Sequence, residues 1–166
     1  FLNAAIGNAE FILKNLYNKD GQLLRNYKNG GSYINGYLED YSAIISGFIS
    51  LHEVTLDEKW LKYSQNLTEY VYKHFYNQDT KMFYFTSDLD EKLLSRTLEF
   101  RDDVIPSSNS IMANNLFLLS HYFDNEKYLE TATAMLNNVT PQIDLYPNSF
   151  SNWLDLMLKI SDSFYE

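Results

Sequence analysis

Two stretches of this sequence gather the side chains that move protons or grip hydroxyl groups. The first, residues 20–41, reads DGQLLRNYKNGGSYINGYLEDY. Its adjacent carboxylates Glu39 and Asp40 are candidate catalytic acids or bases, with Arg25, Tyr27, Tyr37 and Tyr41 as candidate ligand contacts. The second, residues 96–110, offers Asp102 as a third candidate acid. Around it Arg96, Glu99, Arg101, Ser107, Asn109 and Ser110 are the candidate contacts. Carboxylates in such a setting can act as general acid and base, or hold sugar hydroxyls. All three arginines lie in these two stretches. Arginine is the fixed-geometry partner of a carboxylate. It either pins the loops through Glu39, Asp40, Asp102 or Asp103, or grips an acidic or hydroxylated ligand. A plainer role stands beside each candidate. Glu39 and Asp40 would fall in the first turn of a helix and offset its dipole, and Ser107 or Ser108 would cap the next helix.

Other chemistries have little to build on. There is no cysteine, which removes thiolate metal sites, thiol catalysis and disulfides. The three histidines, His52, His74 and His121, fall near expected helix C-termini, where the dipole favours a cation. No Ser-His-Asp arrangement follows from them. Asp88, Asp90 and Glu91 lack the glycine and ligand series of a calcium loop. No metal and no cofactor is expected.

Helices must position these stretches. Residues 3–17, 57–77 and 125–139 place apolar side chains at i, i+3, i+4 and i+7, so each is a one-sided helix. Trp60, Tyr63, Leu67, Tyr70 and Val71 form the clearest stripe. Residues 36–54, 108–123 and 149–164 are apolar nearly all round and are expected to be buried. One-sided and buried helices alternate. Long links lead into the buried ones, over 18–36, 78–107 and 140–148; tight links leave them near Leu56 and Asp124. Antiparallel helices so joined carry all the long links at one end. Met82 to Leu98 has the aromatic content for a small β-hairpin, and Gly30-Gly31 marks a turn.

The pattern repeats. Glu10-Phe11-Ile12-Leu13-Lys14, followed by Leu16-Tyr17-Asn18-Lys19-Asp20, matches Glu69-Tyr70-Val71-Tyr72-Lys73, followed by Phe75-Tyr76-Asn77-Gln78-Asp79. A helix-pair repeat of about 60–70 residues implies stacked α-hairpins. The expected fold is all-α: three of the six hairpins of an (α/α)6 toroid, in a single domain over 1–166.

Gly36-Tyr37-Leu38-Glu39-Asp40-Tyr41-Ser42 resembles the GYLEDYA block of the YyaL-like family. Arg96, Glu99, Asp102, Pro106, Ser107, Asn109 and Ser110 resemble that family's R-x-K-E-x-x-D-x-A-x-P-S-G-N-S run. Leu98 replaces its Lys and Ser108 its Gly. The resemblance implies a C-terminal helical toroid similar to those of N-acylglucosamine 2-epimerases and six-hairpin glycosidases. It also implies a thioredoxin-like domain ahead of Phe1, outside this chain. The start, Phe1-Leu2-Asn3, has no Met and opens inside a helical pattern, as expected of a piece of a longer protein.

Composition bounds the partners. The chain has 166 residues, 45% of them hydrophobic, and a formal charge of −9. Such a charge disfavours nucleic acid and anionic membranes. No apolar run approaches the roughly 20 residues of a membrane span. A cytoplasmic location is expected. The aromatic content of 16% fits a cavity that stacks sugar rings. The expected function is a carbohydrate-binding or sugar-processing site on the long-loop face, catalysis being left open. The alternative is a non-catalytic scaffold or interaction module. Apolar ends of a partial toroid are expected to self-associate.

Overall fold

The structure, a computed structural model, describes residues 1–91 and 95–161. The periodic segments are helical: α1 (Leu2–Asn15), α2 (Leu38–Thr55), α3 (Glu58–Phe75), α4 (Ser108–Phe123), α5 (Glu126–Ile143) and α6 (Ser151–Ser161). The fold is all-α with one two-stranded antiparallel sheet, β1 (Leu24–Lys28) and β2 (Gly31–Asn35). No helix among the described residues is long and apolar enough to cross a membrane.

Two turns of matching design set the helix order. Leu56 and Asp124 end α2 and α4 in the left-handed region, at φ 57° and 48°. Each donates its N–H to a carbonyl four residues back, His52 and Ser120. The next residue caps the following helix: Asp57 accepts from Lys59 N at 3.0 Å, and Asn125 accepts from Tyr128 N. Chain reversal within two residues forces α3 back along α2 and α5 back along α4.

The alternation of one-sided and buried helices becomes two layers. α4 packs between α2 and α6, while α3 backs α2 and α5 backs α4. As the middle member, α4 has 11 of its 16 residues buried. Trp60, Trp153, Tyr41 and Tyr128 are fully enclosed. Each such side chain contributes on the order of 2–3 kcal/mol through burial.

The hairpin lies at 24–35, not over 82–98. Asn29 and Gly30 both take positive φ, 53° and 80°, which is the two-residue turn that a twisted hairpin favours. Among the described residues of 82–98 no strand forms: Phe83 makes an isolated bridge to Tyr76, and Phe85 donates its N–H to Thr97 O while its carbonyl accepts from Leu38 N. Leu93 and Leu94, part of the expected second strand, lie outside the described residues. α5 also runs past its expected end, through Pro141 to Ile143, and a 3-10 turn at Pro147–Ser149 leads into α6. Residues 162–164 of the expected last helix lie outside the described residues.

Candidate functional site

The start of α2 gathers five of the thirteen expected residues: Arg25, Tyr37, Glu39, Asp40 and Tyr41. Asp40 accepts the Tyr37 N–H at 2.8 Å, closing the first turn. Arg25, reaching over from β1, pairs with Glu39 at 3.1 Å and Asp40 at 3.7 Å, and its guanidinium lies 4.5 Å above the Tyr37 ring. Partial desolvation lowers the Arg25 pKa, but Asp40 and Glu39 together outweigh it and hold the group above its usual value. Tyr41 is not on the surface of this cluster. It is buried, stacks on Tyr70 at 5.5 Å and accepts the Leu23 N–H at 2.8 Å. Burial pushes its hydroxyl far above the usual tyrosine range. Tyr27 stands apart, edge-on to Phe11.

Asp102 organises the starts of two helices. One oxygen accepts Ser107 N at 2.8 Å and Ser110 Oγ at 2.6 Å; the other accepts Asn152 N at 2.9 Å. The carboxylate is only 3% exposed. Ser107 is the N-cap of α4 and accepts from Ser110 N. Glu99 accepts the Ser108 N–H at 3.1 Å. Asn109, fully buried, exchanges two bonds with the backbone of Phe83 and donates to Glu99 O. Every hydrogen bond of this cluster runs to a helix start or to the loop before it.

Arg96 and Arg101 do not join these acids. Arg96 donates to the carbonyls of His74 and Thr86 and lies 4.1 Å over the Tyr84 ring. Burial pulls its pKa down, with Asp88 and Asp90 opposing. Arg101 faces Tyr146 at 5.8 Å. Among the described residues, Arg25 is the arginine that pairs with carboxylates, while Arg96 holds its loop through backbone carbonyls. The histidines sit in last turns of helices, and His74 pairs with Asp88 at 2.7 Å.

A groove of about 450 Å³ runs along α2, α4 and α6 beside this cluster. Its polar edge holds Ser46, Asn114, Asn152, Asp155 and Lys159. Lys159 donates to Asn114 Oδ1 at 3.0 Å and pairs with Asp155 at 2.6 Å. Asn114 donates to the carbonyls of Ser110 and Asn152, and Asn152 donates to Ser110 Oγ. Ser110 therefore links buried Asp102 to the groove through hydrogen bonds. Deeper in, Asn115 donates to Ser42 O at 2.8 Å.

Among the described residues, no aromatic ring borders the groove. Many aromatic side chains pack on one another, as in Phe48 with Trp60 and Tyr41 with Tyr70. The groove residues went unread in the sequence. Their signal was there: Asn114-Asn115 interrupts an otherwise apolar buried helix, and buried amides need partners.

Over 156 residues, 88% of this chain, the sequence is 24% identical to human Spermatogenesis-associated protein 20. It is 27% identical over 156 residues, 89% of the chain, to Uncharacterized protein B0495.5 of Caenorhabditis elegans. The matched stretch is 20% of the first relative and 21% of the second, so the chain spans about a fifth of their length. The chain is a distant relative of these proteins. No protein-family model matches it.

Proposed function

We propose that this chain is a non-catalytic helical module of a larger protein, in which the conspicuous acids hold helices in place. The observation that carries this reading is Asp102: a buried carboxylate with three donors on it, each belonging to a helix start. Glu99, Glu39 and Asp40 repeat the theme at the surface. The larger protein would be of the YyaL-like kind, with this chain as part of its helical toroid and the thioredoxin-like domain elsewhere. The test is equilibrium unfolding of Asp102→Asn and Asp40→Asn. Acids held for chemistry are often kept against stability, so neutralising them leaves the fold unchanged or firmer. Structural acids give the opposite sign, and both variants are expected to lose stability. A gain in either would overturn the reading.

A second reading concerns what the module binds. The groove beside α6 offers amide donors and acceptors and one ion pair, without a dominant charge. Neutral hydroxylated molecules, sugars among them, match such a set: each hydroxyl both gives and takes a bond. Calorimetric titration with neutral monosaccharides should show saturable binding that Lys159→Ala removes. Heats identical in the wild type and this variant would exclude the groove as the site.

A further inference from the structure

A second space, about 520 Å³, opens between α3 and α5 on the other layer. Lys73 of α3, Lys127 of α5 and Lys81 of the turn after α3 all line it. Among the described residues no ion pair engages any of the three, whereas Arg25, Lys59 and Lys159 each have an acid partner. Three of the ten lysines of a chain with charge −9 thus face one cavity. Glu69 and Glu130 border it too, but the Glu69 carboxylate is engaged by the Tyr128 hydroxyl.

Lys81 is there at a conformational cost. Its φ is +57°, a region that strains residues bearing a side chain by roughly 1–3 kcal/mol. This turn has a counterpart in the first copy, one residue shorter between its bridged ends. In the first copy Asn18 accepts from Asp20 N and Gln22 N, Tyr17 bridges Leu23, and the positive φ belongs to Gly21. In the second copy Asn77 accepts from Asp79 N and Thr80 N, Tyr76 bridges Phe83, and the positive φ belongs to Lys81. Asn138 of α5 donates to Thr80 O and fixes the turn at the cavity edge. Lys81 thus borders the cavity from a strained backbone position.

We propose that the cavity between α3 and α5 binds a small organic phosphate that carries hydroxyl groups. Lys73, Lys81 and Lys127 take the phosphate, and Glu130 and Gln78 take the hydroxyls. The site is independent of the groove beside α6. Calorimetry on the 166-residue chain tests it, with glucose 6-phosphate, inorganic phosphate and glucose as probes. Glucose 6-phosphate should bind saturably and more tightly than inorganic phosphate, and glucose should give no heat with Lys159→Ala, in which the groove beside α6 is disabled. Added NaCl should weaken binding, because partly exposed charges are screened. Lys81→Gly restores the residue type of the first copy and relaxes the backbone. It should weaken binding at least fivefold while its unfolding midpoint stays or rises, which separates loss of a ligand from loss of the fold. The proposal fails if glucose 6-phosphate does not saturate, if glucose binds Lys159→Ala as well as glucose 6-phosphate does, or if Lys81→Gly binds glucose 6-phosphate like the wild type. It also fails if Lys159→Ala abolishes the binding, since that places the ligand in the groove.

Discussion

Replacing Asp102 by Asn keeps the outline of the side chain but turns one acceptor into a donor. Either Asn152 N–H or Ser107 N–H then meets an amide N–H with no acceptor, and the bonds that remain lose their charge assistance. The expected loss is roughly 3 kcal/mol, read from the urea midpoint. Asp40→Asn removes a half-exposed first-turn charge and is expected to lose only about 1 kcal/mol. At this scale the sequence was readable where partners are close along the chain. Ser107 as a cap, and Glu39 and Asp40 in a first turn, follow from spacing alone. Asn152, which lies 50 residues from Asp102, does not. Neither does the replacement of an acid partner by backbone carbonyls at Arg96.

Helix identity was legible from periodicity, and the two tight turns from their position between patterns. The hairpin was not, and the reason is specific. Phe83 looks like a strand residue, yet both its N–H and its C=O are satisfied by the Asn109 side chain, which stands where a neighbouring strand would be. A tertiary contact thus took over what local pattern assigned to a sheet. The true hairpin carries its signal in Asn29-Gly30 rather than in alternating hydrophobicity, since β1 and β2 are largely exposed. A Cβ at Gly30 would meet nothing within 4 Å, so only its φ of 80° opposes substitution. Gly30→Ala is therefore expected to loosen the hairpin by about 1 kcal/mol. Faster amide exchange across the Asn26–Tyr33 pair, with α4 unchanged, is the readout.

Across the molecule, the high aromatic content serves packing between layers. This gives a pH signature. Burial raises the hydroxyls of Tyr41, Tyr72 and Tyr128 well above their ordinary value of 10.0. Below pH 10 both folded and unfolded chains keep these protons, and stability is unaffected. Above it the unfolded chain releases protons that the folded chain retains, so stability falls as pH rises beyond 10. In an absorbance titration at 295 nm, exposed tyrosines should ionise first and the buried ones together with unfolding. Exposed apolar surface belongs to this scale too: Leu158 on α6 is 69% exposed beside half-buried Leu154 and Met157. The layered all-α architecture was readable from the alternation of one-sided and apolar segments. What each layer face binds was not, because the groove and the cavity form between helices far apart in sequence.

The bridge that Asp102 makes between α4 and α6, with Asn115 clamping α4 to α2, bears on how the molecule comes apart. Stacked repeats ordinarily melt unit by unit, since each touches only its neighbours through generic packing. Here specific polar ties cross both junctions of the inner layer. Detaching α6 strips a buried charge of a partner, and detaching α2 strips a buried amide of one. The repeats are modular in sequence but should unfold in one step.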